Sequence, residues 1–176
     1  MKKLLVLILV LGIAPAASAL TVNLSLDGVN PAPEAIDVVP GQVLTMYVIS
    51  DSDDVSYWKW IRTYTPVSIE NVRSCPAAGD LANIADLSYI WEYNPDVTCY
   101  EFELEAADSG GNIEAGKHFG FDLTISMDAT PGTWEYLHLD STPIPDDTVV
   151  INVIPEPGTI FLFALGGLAL LRTRRK

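Results

Sequence analysis

The sequence predicts an all-β protein whose body is an antiparallel β-sandwich. Apolar and polar residues alternate with a period of two along much of the chain, as they do in strands with one buried face. Turn signals rich in proline and glycine separate these runs at short intervals. Strands do not alternate with helical segments, so a parallel sheet is not expected. Two sheets packed face to face, in a jelly-roll or immunoglobulin-like arrangement, are the expected architecture.

Two of the predicted strands have the clearest alternation. The runs Tyr100–Leu104 and Phe119–Ile125 place apolar residues on one side and acidic or polar residues on the other. One buried face and one wet face are typical of an antiparallel sheet with a solvated side. The segment Gly79–Leu87 has helical spacing but is short, so it predicts a single helical turn. Further strands are predicted at 22–26, 44–48, 133–139 and 148–154.

The N-terminus has the three regions of a secretory signal peptide. Lys2 and Lys3 precede the unbroken apolar run Leu4–Ile13, and the small residues Ala17 and Ala19 follow in an A-x-A arrangement. Signal peptidase recognises this combination of a basic start, a short apolar centre and a small-residue site. We therefore expect cleavage after Ala19 and export of the rest of the chain.

The C-terminus combines three features in a fixed order. Pro155-Glu156-Pro157 precedes the apolar run Gly158–Leu171, and the basic residues Arg172, Arg174, Arg175 and Lys176 follow it. As a helix the apolar run would be about 21 Å long, short of a hydrocarbon core of about 30 Å. The basic cluster is expected to stop transfer and stay in the cytoplasm, as the positive-inside rule prefers. An ordinary tail anchor with a proline cap is the alternative.

This combination resembles the PEP-CTERM sorting signal of Gram-negative bacteria. The resemblance covers residues 155–176 and implies that Pro155, Glu156 and Pro157 are recognised by an exosortase-type processing enzyme. The predicted route is export, a transient stay in the inner membrane, and cleavage that leaves the body at the cell surface or outside the cell. The chain then divides into a signal peptide (1–19), a β-sandwich domain (20–154) and a sorting signal with a short membrane helix (155–176).

The predicted body is strongly acidic. Residues 20–154 contain four basic and 22 acidic residues, which gives a net charge of −18. A surface of this charge repels nucleic acid and anionic lipid, so no nucleic-acid partner is expected. It attracts divalent cations and basic partners instead. The length of the body suits one domain with one core.

Cys75 and Cys99 are the two cysteines of the chain. In an exported protein an even pair is typical of a disulfide. Such a bond would stabilise the fold by about 3 kcal/mol in the chain-entropy model. Two free thiols are the remaining alternative, because two isolated cysteines do not support a metal site.

The densest group of carboxylates is the loop with Asp51, Asp53 and Asp54. Ca²⁺ takes roughly six to eight oxygen ligands, and clustered aspartates in an exported loop can supply several of them. The spacing is not that of an EF-hand, since no glycine follows and no glutamate closes the loop. Solvated turn residues are the alternative, and no other cofactor is expected.

Two groups of aromatic residues form another candidate site. The residues that share a strand face are Trp58 with Trp60, and Tyr89 with Trp91 and Tyr93. If exposed, either group resembles a platform for stacking sugar rings, and an exopolysaccharide is then the candidate partner. We favour core burial for the Tyr89 group, because aromatic residues commonly build cores. The strand with Trp58 must expose aromatic surface unless both of its faces are covered.

Two segments resemble parts of cohesin-like sandwich domains. Val38–Val48 enters an early strand through Pro40-Gly41, and Ala129–Trp134 has a late Pro-Gly followed by an aromatic residue. The resemblance implies a jelly-roll sandwich that serves binding or assembly rather than catalysis. No residues identify a dockerin-binding surface.

No catalytic motif is found in the sequence. His118 and His138 are the only histidines, and both are expected on strand surfaces. No serine lies in a nucleophile-elbow pattern, and no pair of histidines has metal-ligand spacing. We predict a non-enzymatic exported protein of the cell envelope or extracellular matrix. A surface-presented module that binds carbohydrate or calcium is the alternative, and a secreted hydrolase has no motif behind it.

Overall fold

The computed structural model describes residues 22–53, 56–92, 94–107, 113–141, 144–158 and 162. Within these ranges a 3-10 turn, Pro76–Ala78, accompanies the strands, and Pro157, Gly158 and Leu162 are helical. The strands are Val22–Ser25 (β1), Ala35–Val38 (β2), Val43–Ser50 (β3), Tyr57–Tyr64 (β4), Val67–Ser74 (β5), Asn83–Asp86 (β6), Tyr89–Ile90 (β7), Thr98–Ala106 (β8), Gly116–Ile125 (β9), Trp134–Ser141 (β10) and Ile144–Val153 (β11).

The strands form two sheets that enclose one core. The smaller sheet has the order β1-β3-β9-β5. The larger has the order β2-β11-β10-β4-β8-β6, and β7 pairs with β8 beside this path. Every pairing is antiparallel except that of β2 with β11, which is parallel. The predicted all-β sandwich is confirmed.

The core is made of the residues that alternate inward from both sheets. From β9 come Phe119, Phe121, Leu123 and Ile125, each at most 1% exposed, as the alternation predicts. The larger sheet contributes a second set of buried residues: Ile61, Leu104, Leu137, Leu139 and Ile151. Full burial of such a side chain contributes about 1.5–3 kcal/mol, so these two facing sets hold the sheets together.

The segment Gly79–Leu87 is not helical, and the prediction of a helical turn is wrong. Residues 83–86 form β6 and pair with β8. Ile84 of this strand and Ala82, just before it, pack against the core. An unpaired edge of β8 offers these residues both hydrogen bonds and apolar contacts, and such tertiary pairing outweighs a weak helical pattern over a few residues.

The first strand is one residue shorter than predicted. It ends at Ser25, and Leu26 is 38% exposed. The chain turns here because the Asp27 carboxylate accepts the backbone N–H groups of Val29 and Asn30, both at 2.8 Å. Aspartate favours turns for this reason.

The predicted disulfide is wrong, because Cys75 and Cys99 are free thiols. Cys75 follows β5 of the smaller sheet, and its backbone N–H donates to the His118 carbonyl at 2.7 Å. Cys99 belongs to β8 of the larger sheet and is buried. Burial raises the pKa of the Cys99 thiol. A disulfide needs Cα atoms within about 7 Å and converging side chains, a geometry that an even number of cysteines does not establish.

His118 is buried, contrary to the expectation of a surface histidine. Val48 pairs with Phe119 but Ile49 with Lys117, so a bulge leaves His118 without a partner on β3. Such a bulge breaks the alternation and re-aims a side chain. The Tyr57 hydroxyl lies 2.8 Å from His118 Nδ1, and His118 Nε2 lies 2.7 Å from the Glu114 carbonyl oxygen. A carbonyl only accepts, so Nε2 carries the proton and Tyr57 donates to Nδ1.

The neutral state of His118 makes stability depend on pH. Burial lowers the pKa of His118 below its ordinary value of 6.5, although the hydrogen bond to Glu114 works against this. The unfolded chain therefore takes up a proton at higher pH than the folded one. Stability is full above the unfolded pKa and falls as the pH drops from about 7 towards the lower folded pKa. We expect Tm to fall between about pH 7.5 and about pH 5, and the fall to be smaller in His118→Gln. A Tm that depends on pH equally in both proteins contradicts this assignment.

Candidate functional site

The centre of the larger sheet is β4, which lies between β10 and β8 and has two unlike faces. Tyr57 and Ile61 point into the core, while Trp58 and Trp60 lie on the outer face. Trp58 is 57% exposed and Trp60 is half-buried. Their ring centroids are 6.1 Å apart and their planes differ by 21°. The predicted pairing of Trp58 with Trp60 on one face is confirmed, and that face is not covered.

Strand β10 adds aromatic residues that the sequence analysis did not assign to a site. Trp134 and Tyr136 contact edge to face with centroids 5.1 Å apart, and Tyr136 lies 5.5 Å from the His138 ring. The signal was present in the sequence, because Trp134, Tyr136 and His138 alternate with the buried Leu137 and Leu139. Only the strand order brings the His138 end of this ladder beside β4, where His138 pairs with Arg62, and Trp134 lies beyond the paired residues.

Tyr89 and Trp91 are 47% and 45% exposed, so the expectation of core burial is wrong for both. Strand β7 has two residues and pairs with β8, and both of its residues are exposed. Trp91 packs on Tyr64 of β4 with ring centroids 6.0 Å apart. These side chains thus extend the outer face of the larger sheet. Tyr93 lies outside the described residues.

Arg62 occupies the middle of this outer face between two carboxylates. Its guanidinium donates to Asp140 on β10 and lies 3.4 Å from Glu101 on β8. The Asp140 side chain is 11% exposed and that of Arg62 33%. In the described part of the chain, Asp140 Oδ1 has no hydrogen-bond partner. The carboxylate therefore depends on Arg62 for compensation of its charge.

A column of glutamates flanks the aromatic residues on β8. Glu103 pairs across the strands with Trp60, and Glu105 pairs with Trp58. Glu103 is half-buried and Glu105 exposed. The outer face thus alternates aromatic rings with hydrogen-bond acceptors along two neighbouring strands.

His138 contacts the neighbouring strand β11 on this face. Its Nδ1 lies 3.2 Å from the Thr148 hydroxyl. Burial lowers the pKa of His138, and the carboxylate of Asp140 opposes that effect.

The aspartate loop does not assemble a cation site in the part that the structure describes. The Asp53 carboxylate accepts the backbone N–H of Ala115 at 2.6 Å, and Asp51 accepts the Ser52 hydroxyl at 2.8 Å. No group of three or more His, Cys, Asp or Glu residues that could hold a metal is found among the described residues. Asp54 lies outside them, so the proposed calcium ligand set stays a prediction.

The last strand leads directly into the Pro-Glu-Pro triplet. Strand β11 ends at Val153, and the Ile154 N–H donates to the Val38 carbonyl at 2.7 Å. Glu156 and Pro157 are exposed, whereas Pro155 is half-buried. The sandwich is therefore complete at the residue before the triplet.

The remaining predicted targeting features lie outside the described residues. They are Ala17 and Ala19, most of the apolar run 158–171, and the basic residues Arg172, Arg174, Arg175 and Lys176. Over the ranges that are described, no helix is long and apolar enough to cross a bilayer.

Residues 153–176 match the family model of the PEP-CTERM protein-sorting motif. The C-terminal segment is a PEP-CTERM sorting motif. The PEP-CTERM motif marks an exported protein that is targeted to the cell surface. The match is confined to the tail, so the body has to be compared separately. No curated protein matches the chain.

The body ahead of the PEP-CTERM motif has a cohesin-like fold. It is similar to a type III cohesin module from the cellulosomal ScaE cell-surface anchoring scaffoldin of Ruminococcus flavefaciens, with a TM-score of 0.53 and 14% identity. That match covers 80% of this chain and 91% of the module. A non-cellulosomal cohesin from the archaeon Archaeoglobus fulgidus matches with a TM-score of 0.50 and 11% identity, over 82% of this chain and 97% of that one. At these identities the likeness shows the fold alone.

The ion pair at the centre of the outer face is open to a direct test. Replacing Arg62 by Met leaves the Asp140 carboxylate without its opposite charge, and we expect a loss of about 2 kcal/mol in the free energy of unfolding. Adding Asp140→Asn should recover part of that loss, with a coupling energy of about 1 kcal/mol or more in urea unfolding.

Arg73→Met is the matched control, because Arg73 is more exposed and lies 3.9 Å from Asp122. An exposed pair of this kind contributes less than about 1 kcal/mol. Equal losses for the two arginines, or strict additivity of Arg62→Met and Asp140→Asn, would falsify the assignment.

Proposed function

We propose that this protein is an exported, non-enzymatic binding module that its C-terminal motif delivers to the cell surface. The observation that carries the proposal is the junction of body and tail. The sandwich closes at Val153, and the exposed residues Glu156 and Pro157 of the sorting triplet follow within a few positions. A processing enzyme can reach this triplet without unfolding the domain.

The proposed route begins with removal of residues 1–19 by signal peptidase after Ala19. The apolar run 158–171 then holds the protein in the inner membrane, and the basic residues that follow it stay in the cytoplasm. An exosortase-type enzyme cuts near Pro155–Pro157 and passes the body to the cell surface or the extracellular matrix. In this route the triplet is a substrate feature and catalyses nothing.

Proline supports this role of the triplet physically. Pro155 and Pro157 each lack a backbone N–H, so neither can extend the hydrogen bonding of β11, and Pro157 begins a helical stretch, a position that proline tolerates. The residue before each proline is also biased towards extended backbone. The chain is thus kept accessible between the folded body and the membrane segment.

Binding is the activity that the body itself supports best. Both histidines are used in structural hydrogen bonds, His118 with Tyr57 and Glu114, and His138 with Thr148. The exposed aromatic surface of the larger sheet is instead of the kind that marks contact with a partner. The cohesin-like fold supports a binding role by analogy, because a fold alone does not determine a function.

The sorting step is tested by the mass and cell fraction of the mature protein. We expect the full chain to mature to a body that lacks both termini and is found at the cell surface or in the medium. Deleting Arg172–Lys176 removes the stop-transfer charges and should abolish processing, which leaves a heavier product.

A matched variant replaces Arg172, Arg174 and Arg175 by lysine and keeps every charge. It should mature like the natural chain. If deletion of the basic residues leaves the mature mass unchanged, the proposed sorting route is wrong.

A further inference from the structure

The exposed aromatic residues of the described chain are concentrated on one surface. They all lie on the larger sheet or directly beside it: Trp58, Tyr89, Trp91, Trp134 and Tyr136, each between 38% and 57% exposed. Soluble domains seldom leave several large aromatic side chains together in water without a partner. We call this surface, together with Trp60, Arg62 and Tyr64, the aromatic face.

The aromatic face is long rather than deep. Trp58 and Tyr64 are six residues apart on β4, which corresponds to about 20 Å along an extended strand. The Trp134–Tyr136–His138 ladder lies on the neighbouring strand β10. The hollow beside Trp58 has a volume of about 270 Å³ and is open. Pockets that enclose a small ligand are about 300–1,000 Å³ and bury most of its surface, so this face fits an extended ligand instead.

Polar groups on the face suit a ligand rich in hydroxyl groups. Arg62 is held by Asp140 and Glu101 but stays partly exposed, so it has N–H groups left to donate. Glu103 and Glu105 lie across from Trp60 and Trp58 and offer acceptor oxygens beside each ring. A pyranose ring matches this alternation, because its C–H groups stack on an aromatic ring while its hydroxyls donate and accept at the edges.

The net charge of the body further restricts the class of ligand that the aromatic face can bind. With a net charge of −18 over residues 20–154, the body repels an anionic polymer. A basic polypeptide would be attracted to acidic surface anywhere on the domain, so charge does not direct it to this face. The aromatic rings distinguish this face from the rest of the domain surface. A ligand that packs on such rings is an uncharged chain with flat apolar surfaces.

We infer that the aromatic face binds a neutral glycan chain along β4 and β10, with sugar rings stacked on Trp58, Trp60 and Trp134. Arg62 and Glu103 contact the hydroxyl groups between these stacks. This inference rests on the proposed function, since it names the ligand of the proposed binding module.

The experiment measures binding of the full chain to soluble polysaccharides by affinity electrophoresis and tryptophan fluorescence. The chain is kept in micelles of a polyoxyethylene detergent, because a glycoside detergent would compete for the site. The neutral probes are mixed-linkage β-glucan, hydroxyethyl cellulose and dextran. Alginate is the anionic probe, and polylysine is the basic one.

We expect at least one neutral glycan to bind and alginate not to bind. Trp58→Ala and Trp134→Ala should each weaken that binding roughly tenfold, which corresponds to about 1.4 kcal/mol. Tyr47→Ala is the matched control, because Tyr47 is an aromatic residue of the smaller sheet that packs under Lys117, and its loss should leave binding unchanged. Near-native Tm values establish that the variants are folded.

Three results overturn the inference. They are a folded chain that binds none of the neutral probes, neutral binding that Trp58→Ala and Trp134→Ala leave intact, and polylysine binding that depends on these tryptophans while the glycans fail. The last result keeps the binding-module proposal and changes only the ligand. A failure of the sorting route would appear separately, as unprocessed chain that still binds glycan.

Discussion

The structure depends on the register of β4, because this strand builds both the core and the aromatic face. Its inward residues, Tyr57 and Ile61 among them, close the core against β9, and its outward residues carry Trp58, Trp60 and Arg62. The period of a strand is two, so a slip of one residue would exchange the faces. It would bury an arginine and expose Ile61 at the same time. Pairing with β8 along the whole of β4 opposes such a slip.

The C-terminal motif and the aromatic face are connected through the same sheet. Strand β11 carries the C-terminal motif at its end and pairs with β10, which carries Trp134 and Tyr136. The parallel pairing of β2 with β11 continues to Val38 and Val153, so the body is tied together up to the start of the tail. Cleavage beyond this point would leave the aromatic face untouched. The aromatic face is thus independent of how the tail is processed.

Local patterns in the sequence predicted the parts of the fold that local physics determines. The alternation in Phe119–Ile125 and Tyr100–Leu104 identified strands and their buried faces, because a half-buried strand imposes period two on its residues. The Pro-Glu-Pro triplet, the apolar run and the basic cluster identified the tail for a similar reason, since all three are contiguous. Trp58 and Trp60 were assigned to one face from their spacing alone.

The remaining features depend on contacts between distant segments. The buried His118 ring hydrogen-bonds Tyr57, which is 61 positions away in the sequence. The alternation of residues in β9 does not predict the bulge that places the ring there. Residues 83–86 form a strand because β8 offers them an edge to pair with, and Trp91, just after the two-residue strand β7, is exposed. Cys75 and Cys99 are an even pair in the sequence, but Cys75 follows β5, Cys99 lies in β8, and both are free thiols. The Arg62–Asp140 pair needs the order β10-β4-β8, which the sequence does not reveal.

The most direct test of the account is hydroxyl-radical footprinting of the exported protein, with each residue's oxidation rate divided by its rate in the unfolded chain. The account predicts little protection at Trp58, Trp134 and Tyr136 and strong protection at Tyr57 and Phe121, their neighbours in sequence or in the core. Strong protection of Trp58 together with rapid oxidation of Tyr57 would mean that β4 presents the opposite face, and both the core and the aromatic face described above would be wrong.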